Sequence, residues 1–108
     1  IRYFGFSFHD DNELFCEIVD SYDGWTFCQL QYNYMETTEV LSRPGGYHTP
    51  GREAVRYAAE HGLALNIMEP IMGGILSVPP PLAIQEIWEK APTARLPAEW
   101  ALQWVWND

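Results

Sequence analysis

The stretch that decides the fold is Gly62-Leu63-Ala64-Leu65-Asn66-Ile67-Met68-Glu69-Pro70-Ile71-Met72-Gly73-Gly74. Its residues 63–68 form a largely apolar run that is too short for a stable helix, so they predict a β-strand. A run that is apolar throughout, rather than alternating, is typical of a strand buried on both faces in a helix-covered parallel sheet. Pro70 then opens a long loop that contains Gly73 and Gly74.

Two further strands are predicted earlier in the chain, over residues 1–8 and 27–34, because both segments are rich in β-favouring residues. Between them, apolar residues recur at helical spacing over residues 14–22 and predict an amphipathic helix. Capping side chains at positions 9–12 precede this helix, and Asp23-Gly24 follows it as a stop signal.

The segment from 36 to 51 contains Gly and Pro residues without a clear period, so it is predicted to be a loop. A helix follows, with Thr49 as its cap, Pro50 at its first position and Gly62 as its stop. Two more helices are predicted, one over residues 82–90 and one that starts at Pro97.

The resulting order is strand, helix, strand, helix, strand, helix, helix, which predicts an α/β domain with a parallel sheet. Three parallel strands leave two edges with unpaired backbone groups. A (β/α)8 barrel removes such edges by closure, but it needs roughly 200 residues or more, and this chain has 108. Residues 1–108 are therefore expected to form part of a (β/α)8 TIM barrel, incomplete at both ends.

The composition excludes some classes of function. The net charge of −9, with six Lys and Arg residues against fifteen Asp and Glu, disfavours nucleic acid and anionic membrane surfaces as partners. No apolar run approaches the roughly 20 residues that a membrane span needs. Residues 1–8 lack the features of a signal peptide, so a cytoplasmic location is expected.

The potential ligand and nucleophile side chains give no recognisable motif. Cys16 and Cys28 match no zinc or iron–sulfur spacing, and they are interpreted as two reduced thiols, with a disulfide or a reactive thiol as alternatives. The three histidines, His9, His48 and His61, show no metal-ligand spacing, so no metal site is expected.

Four stretches together resemble the aldo/keto reductases, over essentially the whole chain. Three of them are similar to the fifth, sixth and seventh barrel strands of that family, and the fourth to a late helix. They are Ile1-Arg2-Tyr3-Phe4-Gly5-Phe6-Ser7-Phe8-His9, Phe27-Cys28-Gln29-Leu30-Gln31-Tyr32-Asn33-Tyr34-Met35, Gly62-Leu63-Ala64-Leu65 through Met68-Glu69-Pro70 with Gly73-Gly74, and Pro97-Ala98-Glu99-Trp100-Ala101-Leu102-Gln103-Trp104. The resemblance is closest to the bacterial and archaeal branch that often carries a C-terminal ferredoxin-like iron–sulfur extension.

The resemblance implies an NAD(P)-dependent oxidoreductase that reduces a small carbonyl compound to an alcohol. In this family Ser7 and Gln29 match positions that bind the nicotinamide carboxamide, although Phe8 stands where many members have a second amide contact, an Asn. Met68 replaces an aromatic ring that stacks on the nicotinamide. Pro70 and the glycines at 73 and 74 match the loop near the cofactor pyrophosphate.

The resemblance assigns no catalytic residue to this chain. The family's catalytic Asp, Tyr, Lys and His match positions before Ile1, and the contacts to a 2′-phosphate match positions after Asp108. An iron–sulfur cluster is expected only in a C-terminal extension, because the two cysteines here form no cluster motif. The chain alone is therefore expected to be inactive.

Each candidate also has a structural interpretation. Ser7 and Gln29 could be ordinary polar residues at strand ends, Met68 could fill a core, and Gly73-Gly74 could form a plain loop. Glu69 is either solvated at the mouth of a barrel or poised in a site. The alternative function is a non-catalytic half-barrel that binds a partner or pairs its open edges with a second copy.

Overall fold

The chain forms a three-stranded parallel sheet with helices, in a computed structural model that describes residues 1–39 and 48–108. The strands β1 (Gly5–Phe8), β2 (Phe27–Gln31) and β3 (Ala64–Met68) lie in the order β1-β2-β3. Both pairs are parallel, which confirms the predicted α/β class and parallel sheet. The central strand β2 is hydrogen-bonded on both sides.

Within residues 1–39 and 48–108, four α-helices and one 3-10 segment accompany the sheet. They are α1 (Asn12–Asp20), α2 (Gly51–Glu60), a kinked 3-10 segment (Met72–Ser77), α3 (Leu82–Trp88) and α4 (Pro97–Asn107). Among the residues that the structure describes, no helix has the length and apolar character needed to cross a membrane. The predicted loop at 36–51 falls partly on residues 40–47, which lie outside the described residues.

The helix starts follow the sequence signals at two positions and depart from them at a third. Asp11 caps α1 by accepting a hydrogen bond from the Leu14 backbone at 2.8 Å, and Pro97 begins α4 as predicted. The predicted start of α2, with Thr49 as the cap and Pro50 at the first position, was wrong. Pro50 is the N-cap, and no side chain caps the helix. The carbonyl of Thr37 instead accepts from the Arg52 N–H at 2.9 Å, so a backbone group satisfies this helix end.

Several elements are shorter than the sequence patterns predict. The first strand begins at Gly5 rather than Ile1, and the second ends at Gln31 rather than Tyr34. Gly5 itself has a packing role, since a Cβ there would lie 2.3 Å from the Phe27 carbonyl oxygen. Only glycine therefore allows β1 to approach β2 this closely.

The hydrophobic core lies on one face of the sheet, under α1 and α2. Eight residues form this core: Phe8, Phe15, Val19, Cys28, Leu30, Ala54, Ala58 and Leu63. The opposite face is open at Ser7 and Asn66, and Ala64 is exposed as well. The expectation that β3 is buried on both faces was therefore wrong. In a closed barrel the opposite strands bury the second face, and the described residues provide only three strands.

The end of α4 is tied to the carboxyl end of β2. Asp108 accepts hydrogen bonds from the Tyr32 hydroxyl at 2.6 Å and from the Arg52 side chain at 2.7 and 3.0 Å. The Trp104 ring lies under the same guanidinium and beside the Tyr32 ring. Partial burial alone would raise the pKa of Asp108, but the bonds from Tyr32 and Arg52 lower it below its usual value.

Truncation of Phe15 is expected to destabilise the fold strongly. Phe15 is completely buried against Phe6 and Phe8, so Phe15→Ala should cost about 3–5 kcal/mol in the free energy of unfolding. The neighbouring Leu14 is 39% exposed and serves as the control, because Leu14→Ala should change stability by only about 0.5 kcal/mol. Urea unfolding followed by tryptophan fluorescence measures both, and equal losses would contradict this description of the core.

The ion pair at Asp108 should make stability depend on pH. Because its pKa is lowered in the folded chain, the carboxylate stabilises the fold above its unfolded pKa of about 3.9, and this contribution is lost as the pH falls through the folded value. We expect Asp108→Asn to lower the melting temperature at pH 7 and to make no difference near pH 2. A difference in melting temperature that does not change with pH would contradict the assignment.

Candidate functional site

Three polar side chains lie side by side on the open face of the sheet. Ser7, Gln29 and Asn66 are register partners across β1, β2 and β3. The Asn66 amide donates to the Gln29 side-chain oxygen at 2.7 Å. The Ser7 hydroxyl donates to the Met68 sulfur at 4.0 Å, which is a weak contact. The structure thus brings Ser7, Gln29 and Met68 together on one face, and Asn66 lies beside them.

The alternation of side chains along each strand explains this arrangement. Phe8, Cys28 and Leu30 enter the core under the helices. Ser7 and Gln29 alternate with them along the strands, so their side chains project to the opposite face. Ser7, Gln29 and Asn66 cross the middle of the sheet, and Met68 is the last residue of β3, so the group extends from the middle of the sheet to the carboxyl end of β3. Ligands of open parallel sheets and of barrels bind at this end.

The backbone that follows β3 adopts an unusual conformation. Glu69 and Met72 have φ values of 53° and 52°, and Gly73 and Gly74 have 60° and 93°. Positive φ is uncommon for residues other than glycine, and such residues cluster at ligand-binding loops. Backbone bonds from Met72 to Glu69 and from Gly74 to Ile71 close the turns. The predicted loop residues Pro70, Gly73 and Gly74 therefore lie in a tightly wound segment directly after Met68.

A buried polar cluster that the sequence analysis did not predict anchors this segment. Asn33 and Glu36 are fully buried, and Gln31 is nearly so. The Glu36 carboxylate accepts from Asn33 at 2.6 Å and from Gln31 at 3.0 Å. Asn33 also donates to the Glu69 carbonyl at 3.2 Å. The cluster thus joins the turn after β2 to the residue at which β3 ends, and a polar Asn inside an apparent strand was its only signal.

The hydroxyl of Tyr32 lies beside the cationic side chain of Arg52. The Arg52 side chain donates to the Tyr32 oxygen at 3.0 Å, while Tyr32 donates to Asp108 at 2.6 Å. Burial and the bond to Asp108 raise the pKa of Tyr32, and their effect exceeds the opposite effect of Arg52. The phenol of Tyr32 therefore retains its proton. The hydrogen bonds among Tyr32, Arg52 and Asp108 stabilise the fold, and they do not lower the pKa of Tyr32 as activation of a general acid would require.

The remaining candidates are placed as follows. Both cysteines are free thiols, and burial raises the pKa of Cys28 to about 11, so its reactive thiolate is disfavoured. Glu69 is exposed, and Phe8 is buried in the core. The described part of the chain contains no group of three or more His, Cys, Asp or Glu residues that could hold a metal ion.

A large apolar cleft lies beside the Tyr32 group. Its volume is about 900 Å³, and its walls come from the 3-10 segment, the prolines at 79–81, α3 and α4. Trp88, Trp100 and Trp104 line it, together with Tyr34. The late helix α4 packs on the 3-10 segment, and this packing forms the cleft.

No protein-family model, curated protein or solved structure matches the chain. The likeness to aldo/keto reductases therefore rests on the four stretches quoted above.

Proposed function

We propose that residues 1–108 are the fifth to seventh strand–helix units of a (β/α)8 barrel in an aldo/keto reductase-like oxidoreductase. In this proposal the open face of the sheet is the inner face of the barrel and binds the nicotinamide end of NAD(P). The observation that carries it is the grouping of Ser7, Gln29 and Met68 on that face, from the middle of the sheet to the carboxyl end of β3. The substrate is a small carbonyl compound, which is reduced to an alcohol.

The chemistry of these side chains fits a primary carboxamide on an aromatic ring. Such a group presents a carbonyl acceptor and an NH2 donor. The Gln29 amide can donate to the carbonyl, and the Ser7 hydroxyl oxygen can accept from the NH2. Met68 contributes a polarizable thioether against the Ser7 hydroxyl, suited to contact with a ring face. The donor, the acceptor and the apolar surface lie on neighbouring strands.

The segment after β3 fits the phosphate side of the same cofactor. Its left-handed residues Met72, Gly73 and Gly74 expose backbone at a point where two residues have no side chain. Close approach of a backbone to an anionic ligand is one use of glycine at such positions. The Asn33 bond to the Glu69 carbonyl holds this segment beside the end of β3.

The described residues bind and orient in this proposal, and we assign none of them a catalytic role. When bound, the reduced nicotinamide supplies a hydride to the carbonyl carbon, and the oxygen takes a proton. We assign Tyr32 no role as the proton donor, since its hydroxyl already donates to Asp108 at 2.6 Å and burial raises its pKa. The proton donor and its partners are expected elsewhere in the barrel.

Binding of NADP⁺ to the 108-residue chain tests the proposal. In a titration followed by 1H–15N correlation spectra, we expect shifts at Ser7, Gln29 and Met68, with none at the far end of α1. Ser7→Ala should weaken binding about fivefold, the loss of one neutral hydrogen bond. NAD⁺ is titrated in parallel, and either cofactor satisfies the prediction.

The control is Ser21→Ala, the same change at an exposed hydroxyl that bonds to the Ile18 carbonyl at the end of α1. It should leave the affinity unchanged. No saturable shifts with either cofactor, or shifts confined to residues outside the open face, would refute the proposal.

A second candidate function is self-assembly, favoured by the sheet edges. Within the described residues, β1 and β3 each pair with β2 alone, so each has one side free to pair with another chain. A half-barrel that pairs with its own copy should sediment as a stable species of about 25 kDa, twice the 12.5 kDa chain mass. A mass of 12.5 kDa at all concentrations would exclude this candidate.

A further inference from the structure

Asn66 lies beside Gln29 in a position that the family resemblance does not single out. The two residues are register partners on adjacent strands, and their side-chain amides are joined by a 2.7 Å hydrogen bond. Asn66 is exposed and Gln29 is half-buried on the open face. The bond therefore lies on the surface where the nicotinamide is proposed to bind.

The bond gives the Gln29 amide a direction. A glutamine amide has an acceptor oxygen and a donor nitrogen of nearly the same size, and a rotation of 180° exchanges them. Asn66 donates to the Gln29 oxygen, so the Gln29 nitrogen turns away from β3. The amide then offers an N–H donor to a ligand on this face.

We infer that Asn66 is a positioning residue that makes Gln29 a hydrogen-bond donor and thereby selects ligands with an acceptor at that point. The inference rests on the proposed function. The recognised chemical feature is the carbonyl oxygen of the carboxamide on the nicotinamide ring. Ser7 completes the selection, because its hydroxyl can accept from the other half of a carboxamide.

Variants that reverse the hydrogen-bonding groups of the Gln29 side chain distinguish a positioning role of Asn66 from a purely structural one. In Asn66→Asp the new carboxylate has only acceptors, so Gln29 must turn its nitrogen toward residue 66 and offer its oxygen to the ligand. Gln29→Glu also offers an oxygen, while Asn66 still donates to the other carboxylate oxygen. Both variants should prefer a ligand with a donor.

The probes are two oxidised dinucleotides of equal charge that differ from NAD⁺ only at the ring substituent. The 3-acetylpyridine analogue presents an acceptor and no donor, whereas the 3-aminopyridine analogue presents a donor and no carbonyl. The natural chain should bind the acetyl analogue about fivefold more tightly, and Asn66→Asp and Gln29→Glu should reverse this order. The ratio of the two affinities cancels the general effect of the added negative charge.

Asn107→Asp is the matched control, because it adds the same charge at an exposed asparagine on α4. It should leave the ratio of affinities unchanged. A ratio that Gln29→Glu reverses and Asn66→Asp leaves unchanged would overturn the assignment of Asn66 alone. A ratio that neither variant alters would overturn the contact of Gln29 with the ring substituent as well. Failure of the natural chain to bind NAD⁺, NADP⁺ or either analogue would overturn the proposed function together with it.

Discussion

The pairing of the central strand β2 with both of its neighbours is the constraint on which the rest of the structure depends. Cys28 and Leu30 are completely buried under the helices, which fixes the face that each residue of this strand presents. A shift of one residue would bring Gln29 into the core and expose Leu30. The burial of two apolar side chains therefore also determines where Gln29 lies.

The same constraint extends to the neighbouring strands. Register pairing places Ser7 and Asn66 on either side of Gln29, so one polar row crosses the sheet. None of these side chains is needed for the core. Met68, which contacts Ser7, extends this row from the middle of the sheet to the carboxyl end of β3, the end at which parallel sheets bind ligands.

A second, buried polar group supports the edge of this surface. Asn33 and Glu36 are removed from water but hydrogen-bonded, which avoids the penalty for unsatisfied polar groups. The bond from Asn33 to the Glu69 carbonyl holds the chain at the point where it enters its left-handed turns. The site thus combines an open row of amides with a segment whose backbone is fixed from beneath.

The sequence by itself determined the order of the strands and α-helices, the parallel sheet, a capping side chain before α1 and the start of α4, because these depend on local patterns. It also singled out Ser7, Gln29 and Met68, through a resemblance rather than through physics. Only the tertiary structure decided that Asn66 bonds to Gln29, that Asn33 reaches Glu69 and that Arg52 lies between Tyr32 and Asp108. These contacts join residues from 20 to 76 positions apart. Strand register and helix packing bring such residues together, and no local spacing encodes them.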